Sequence, residues 1–279
     1  MMIYGTKKVI FDSPKVMGIL NVTPDSFSDG GQFNNLKAAG SQVASMVAQG
    51  ATFVDVGGES TRPGASEVSL NEELDRVIPV VELISKQFDI VISVDTSKPQ
   101  VMKEAVAHGA NMINDVRALS MPMALQTAAK LAKDHNVPSC VMHMQGTPQT
   151  MQIAPDYEHV VDEVIAFFRQ QIVRLTQAGF EYKQIMLDPG FGFGKSLDHN
   201  YQMLKYFSRF TEFDLPVIAG MSRKSMIGDL LERKVDQRLT GDICVNTLAS
   251  VAGASILRVH DVQAAMDVVK IIKKINEVA

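Results

Sequence analysis

Eight short apolar runs rich in Val, Ile and Met recur along this chain, separated by longer amphipathic stretches, and that alternation limits its possible folds more than any other feature. The runs are KVMGIL (15–20), TFVDV (52–56), IVISV (90–94), NMIND (111–115), PSCVMH (138–143), QIMLD (184–188), PVIAG (216–220) and SILRVH (255–260). Short runs of this kind spaced by helix-length intervals are the signature of repeated β-α units on a parallel sheet. The intervals carry helical patterns. NEELDRVIPVVELISKQ repeats apolar residues at three and four positions, and DYEHVVDEVIAFFRQQIVRLTQAG ends on Gly179 as a helix C-cap would. The segment before Lys15 reads as a small hairpin closing the bottom of a barrel. Periodicity counts units without showing closure, so a doubly wound open sheet stays open as an alternative. Eight units in 279 residues favour an α/β fold, a (β/α)8 TIM barrel with a short N-terminal hairpin, as a single domain over residues 1–279.

Composition narrows the function classes. With 31 acidic and 27 basic residues spread evenly, for a net charge of −4, the chain has no basic stripe to hold a nucleic-acid backbone. An anionic ligand must be held locally. Cys140 and Cys244 are far apart and have no Cys or His at metal-ligand spacing, so both read as buried small apolar residues. The N-terminal stretch MMIYGTKKVIFDSPK lacks the apolar segment of a signal peptide, and no apolar run approaches the roughly 18 residues of a membrane span. A cytoplasmic enzyme is the plain reading.

Nearly every apolar run ends on a polar residue: Asn21, Asp55, Asp95, Asn114, His143, Asp188 and His260. In a barrel these positions share the face that carries active sites, so residues scattered through the chain converge there. NVTPDSFSDGG (21–31) is too polar and too broken by Pro and Gly to continue a strand, and reads as a functional loop. GGESTRPG (57–64) combines glycine amides, hydroxyls and a guanidinium suited to phosphate oxygens.

Together with DPGFGFGK (188–195) and SRK (222–224), these loops resemble the signature sequences of the dihydropteroate synthases, in the same order and over essentially the whole chain. VDTSKP (94–99), IND (113–115), MHMQGTP (142–148) and RVHD (258–261) fit the same family. The resemblance implies condensation of 6-hydroxymethyl-7,8-dihydropterin pyrophosphate with p-aminobenzoate, in folate biosynthesis, by an SN1-like substitution. It assigns Asp188, Asn114, Asp95 and Lys224 to the pterin edge, with Arg258 stacked on the ring. Asn21, Thr61, Arg62, Arg258 and His260 would meet the pyrophosphate, and Asn21 would ligate a bridging Mg2+. Phe27, Pro63, Phe193, Ser222 and Lys224 would form the p-aminobenzoate pocket, with Ser222 near the carboxylate. Ordered binding, pterin first, a homodimer packed through helices late in the barrel, and competition by sulfonamides are further implications.

Blander readings stand beside these. A lone strand-end Asp or Asn more often caps a helix or satisfies loop amides, and Asp55 reads as support for the second loop. His108, His135, His159 and His199 receive no role. His143 and Gln145 are split between pocket lining and loop anchoring. LLERKVDQR (230–238) reads as a solvated helix face, and the 16 methionines as core filling. Two rival functions remain: a methyltetrahydrofolate methyltransferase type of barrel, which needs no pyrophosphate loops, and a non-catalytic pterin-binding paralogue, which should have lost loop residues.

Overall fold

A computed structural model describes residues 1–23, 32–60, 67–147, 151 and 155–278. Two short strands, β1 (Met2–Tyr4) and β2 (Lys7–Val9), form the antiparallel hairpin expected ahead of Lys15. Eight parallel strands follow: β3 (Lys15–Asn21), β4 (Phe53–Gly57), β5 (Val91–Asp95), β6 (Met112–Asp115), β7 (Ser139–Met142), β8 (Ile185–Asp188), β9 (Ile218–Ala219) and β10 (Ile256–Val259). Their order is β8-β7-β6-β5-β4-β3-β10-β9, and a parallel bridge between Leu187 and Val217 joins its two ends. The sheet is therefore a barrel, and the doubly wound alternative is set aside.

Helices α1 (Gln32–Ala48), α2 (Leu70–Gln87), α3 (Pro99–Ala107), α4 (Ala124–His135), α5 (Val160–Gln177), α6 (Leu197–Lys205), α7 (Ser225–Leu231), α8 (Leu239–Val251) and α9 (Val262–Glu277) lie between or after the barrel strands. Local chemistry sets their ends. Ser69 and Glu72 close a reciprocal capping box at the start of α2, satisfying two amides that the first turn leaves open. Gly179 follows α5 with φ +109°, a conformation that a residue with a side chain adopts only under strain. No helix among the described residues is long and apolar enough to cross a membrane.

The core falls into two parts. A large shell of Val, Ile, Leu and Phe packs helices onto the outside of the barrel. A smaller cluster plugs its bottom: Met17, Phe53, Val91, Met112, Cys140, Met186, Ile218 and Ile256, one from each barrel strand, beneath Met2, Tyr4 and Val9 of the hairpin. Tyr4 meets Phe53 edge-on at 5.2 Å between ring centres, and its hydroxyl donates to Met186 Sδ at 3.2 Å. The expected hairpin thus closes the barrel.

Two expectations need correction. Cys140 is buried, but Cys244 is exposed on α8. That helix is apolar on several sides, so its sequence pattern could not say which side faces out: Leu239, Ile243, Leu248 and Val251 are also exposed. The 230–238 segment is exposed as expected, but it is the end of α7 followed by a short 3-10 turn at 235–237 rather than one helix face.

Because Phe53 stands at the centre of the bottom plug, Phe53→Ala should cost about 3–5 kcal/mol in urea unfolding. A loss below about 1 kcal/mol would mean that the plug repacks and contributes little of the fold's stability.

Candidate active site

Side chains on a strand alternate between faces, so the residues two positions beyond the bottom plug form the next layer inside the barrel. These are Ile19, Asp55, Ser93, Asn114, Met142, Asp188, Gly220 and Arg258. The layer turns abruptly from apolar to polar. Two positions further lie Asn21, Gly57, Asp95, Ser222 and His260, at or just beyond the strand C-termini. Of the strand-end residues expected to converge, Asn21, Asp55, Asp95, Asn114, Asp188 and His260 lie in these two layers, joined by Arg258, while His143 lies outside them.

Asp55 is the acceptor at the centre of the polar layer. Wholly buried, it receives the Ser93 hydroxyl at 2.5 Å, the Asn114 Nδ2 amide at 3.0 Å and Arg258 Nε at 2.6 Å. Ser93 is its direct register partner on β5, so the first contact follows from strand pairing alone. Arg258 also donates through Nη2 to Asp95 at 3.0 Å. The guanidinium is thus clamped between two carboxylates from neighbouring strands. Burial works against the charge on Arg258, but Asp55 and Asp95 outweigh it and hold its pKa above the ordinary value. Burial, then the charge of Asp55, pushes Asp95 well above the carboxylate range despite the pull of Arg258.

Asp188 ends β8 and turns one oxygen to the Gly190 amide at 2.7 Å. Burial raises its pKa, with Lys224, the Gly190 amide and Arg258 pulling back. A Cβ on Gly220 would lie 3.8 Å from Asp188 Oδ2, 3.9 Å from Lys224 Nζ and 4.0 Å from Arg258 Cβ, so this glycine keeps open the space between them. Lys224 donates to the Phe191 carbonyl and holds its ammonium 4.6 Å from the centre of the Phe193 ring. Burial brings its pKa down to about 8, with Asp188 acting against the shift. Acceptors (Asp95, Asp188) and donors (Arg258, Lys224) therefore meet above the Asp55 floor as a slot beside Gly220. Such a slot suits a flat heterocycle with both kinds of edge.

Above it, the Ser222 hydroxyl donates to Asp242 at 3.0 Å and meets His260 Nδ1 at 3.0 Å, while the His260 amide reaches the same oxygen at 3.2 Å. Ser222 is buried and its hydroxyl is engaged in orienting His260. Arg223 grips Asp261 with paired contacts of 2.9 and 3.1 Å, which pins the loop after β10. Asn21 and Asp95 flank Gly57, where a Cβ would lie 3.9 Å from Asn21 Oδ1 and 3.8 Å from Asp95 Oδ2. Below the second loop, Lys98 is shared by Glu59 and buried Glu73, and Arg76 donates to the Gly58 carbonyl at 3.0 Å. Phe27, Thr61, Arg62 and Pro63 lie outside the described residues.

Two residues contribute more than their place in the sequence pattern indicates. Asp55 organises the pocket floor instead of only supporting a loop, and its chief partner lies 203 positions away, where no local pattern could reveal it. Lys195, inside DPGFGFGK, is buried against the carbonyls of Gly190 and Phe193 at 2.9 Å. His143 and Gln145 fall on the side of loop anchoring. His143 is buried, faces Lys195 and packs edge-on against Phe167 at 5.0 Å, while Gln145 pairs with both backbone groups of Asp156.

Residues 17–260 match a family described as pterin binding enzyme. A dihydropteroate synthase of Escherichia coli (strain K12) is 53% identical over 260 residues, covering 93% of this chain and 91% of that protein. The crystal structure of Yersinia pestis dihydropteroate synthase with a sulfonamide drug superposes with a TM-score of 0.94 at 47% identity, covering 99% of each chain. The Xanthomonas albilineans dihydropteroate synthase with 4-aminobenzoic acid superposes at 0.90 and 45% identity, covering 97% of this chain and 96% of that one. A barrel whose polar layer fits a heterocycle, matched over nearly its whole length by these enzymes, belongs to the dihydropteroate synthase family of pterin-binding transferases.

Proposed function

We propose that this chain, as one pterin-binding domain over residues 1–279 working in the cytoplasm, joins 6-hydroxymethyl-7,8-dihydropterin pyrophosphate to p-aminobenzoate, giving 7,8-dihydropteroate and pyrophosphate. The observation that carries this reading is the grouping of Asn114, Asp188, Lys224 and Arg258 above the Asp55 floor, whose acceptors and donors complement a pterin edge by edge. Asp188 accepts from the pterin amino and ring N–H groups, Asn114 offers its carboxamide oxygen, Asp95 takes a further ring nitrogen, and Lys224 donates to the ring carbonyl. Arg258, held edgewise by Asp55 and Asp95, turns its plane to the ring. Charge-assisted hydrogen bonds of about 1.5–3 kcal/mol each would make the slot selective against heterocycles with a different donor pattern.

The substitution needs no covalent enzyme intermediate. The bond from the pterin methylene to the pyrophosphate oxygen breaks with both electrons on oxygen, the electron-rich pterin delocalises the resulting cation, and the arylamine nitrogen forms the new bond and loses a proton. The chain's part is to hold the leaving group as its charge grows, the work of Arg258, His260, Thr61 and Arg62. Ser222, whose hydroxyl also meets His260, lies near the p-aminobenzoate carboxylate. Phe27, Pro63, Phe193 and Lys224 enclose p-aminobenzoate, and the 4-aminobenzoic acid bound by the Xanthomonas albilineans enzyme supports a pocket of that kind. Occupancy of the pyrophosphate site completes that pocket, so the pterin binds first.

Mg2+ fits the oxygen donors present. Asn21 Oδ1 flanks Gly57 beside Asp95, and the described residues hold no group of three or more His, Cys, Asp or Glu suited to a metal. Asn21 would hold a hard cation through its carboxamide oxygen. When bound, it would neutralise charge on the departing pyrophosphate.

The exposed apolar side chains of α7 and α8, among them Leu230, Leu231, Leu248 and Val251, support a homodimer through this face. Sedimentation velocity should give twice the 30.5 kDa chain mass, and a single-chain mass at micromolar concentration would remove the dimer.

Mixing the protein with the pterin pyrophosphate, Mg2+ and p-aminobenzoate, each omitted in turn, tests the reaction. Pyrophosphate release that needs all three, with one dihydropteroate formed for each, is expected. Pterin binding without release would favour a non-catalytic paralogue.

A further inference from the structure

Lys195 takes no part in the chemistry above, yet it is among the most enclosed charged groups of the barrel, 3% exposed. Its ammonium donates to the carbonyls of Gly190 and Phe193, both at 2.9 Å, and of His143 at 3.3 Å, and meets His143 Nδ1 at 3.0 Å. All four partners are neutral, since burial drives the His143 pKa down to about 3. Burial likewise brings Lys195 down to about 7, with Asp188 opposing the shift. A buried ammonium is ordinarily paired with a carboxylate. Here it is solvated by main-chain carbonyls, an arrangement that fixes backbone instead of neutralising a charge.

The backbone it fixes is a glycine-rich turn. Gly190, Gly192 and Gly194 have φ of +71°, +77° and +61°, and a Cβ on Gly190 would stand 1.9 Å from the His143 carbonyl oxygen. A glycine run that must adopt this shape carries large conformational freedom when unrestrained. Its flanks are tied by the Tyr157 hydroxyl to the Gly194 carbonyl at 2.8 Å and by the Gly192 amide to Asn200 at 2.7 Å. The other side of the same loop meets the pocket, where the Phe191 carbonyl and the Phe193 ring both receive the Lys224 ammonium.

We propose that Lys195 is a positioning residue for the second substrate: by holding the Gly190 and Phe193 carbonyls it sets the Phe193 ring against Lys224, and so sets the affinity for p-aminobenzoate without touching either substrate. This rests on the function proposed above. The pterin contacts depend on it less: Asp188 and Asn114 stand on strand ends held by the barrel ladder, and Lys195 holds the Gly190 carbonyl, not the Gly190 amide that meets Asp188.

Steady-state kinetics of the full-length Lys195→Met protein, with circular dichroism to confirm folding, separates the two substrates. The KM for p-aminobenzoate should rise about tenfold, a change equivalent to about 1.4 kcal/mol, while the KM for the pterin pyrophosphate stays within about twofold. Tyr157→Phe removes the Gly194 anchor from a half-buried site and should raise the same KM by a smaller factor, about two- to threefold, and it decides the matter if Lys195→Met does not fold. An unchanged p-aminobenzoate KM in the folded Lys195→Met protein, or an equal rise for both substrates, would overturn the proposal; so would an unchanged value in Tyr157→Phe if only that variant folds. Absence of turnover in the unaltered protein would instead sink the reaction itself, so the two failures are distinguishable.

Discussion

The polar interior of this barrel depends on one carboxylate. Asp55 sits on β4 at the height where the lining changes from apolar to polar, and it accepts from Ser93, Asn114 and Arg258, which come from β5, β6 and β10. An unpaired carboxylate there would cost several kcal/mol of desolvation, as would the arginine without its acceptors. Each group makes the other tolerable. Once Arg258 is tied to Asp55, its second nitrogen falls on Asp95, and the guanidinium plane is set for whatever enters from above.

The same balance explains why the pocket holds opposite charges without collapsing onto itself. Lys224 is directed away from a tight pair with Asp188 by the Phe191 carbonyl and the Phe193 ring, and Gly220 leaves room between them. Asp188 is kept in place by the Gly190 amide, so its other oxygen is presented to the cavity. Preorganised groups of this kind need little rearrangement when a ligand arrives.

Much of this was legible in the sequence, for identifiable reasons. Strands buried on both faces must read as continuous apolar runs, and their ends must turn polar where the barrel opens, so Asn21, Asp95, Asn114, Asp188 and His260 stand out by position. The hairpin was legible from its shortness and place. Asp55 was not, because a lone strand-end Asp is commonly a local cap and its value comes from Arg258, 203 residues on. Lys195 hid for another reason: its partners are backbone carbonyls, which leave no mark in side-chain pattern. The outward side of α8, with Cys244 on it, was illegible because a helix with apolar residues all round does not declare which face is covered.

Calorimetric titration of the dihydropterin pyrophosphate into the unaltered protein and into Asp55→Asn tests the central role of this carboxylate, which the ligand is not expected to touch. The account predicts affinity weakened by about tenfold or more, since the amide keeps one acceptor oxygen but removes the negative charge that holds Arg258 in place. Equal affinity in a folded Asp55→Asn protein would contradict it, and would return Asp55 to the role of loop support.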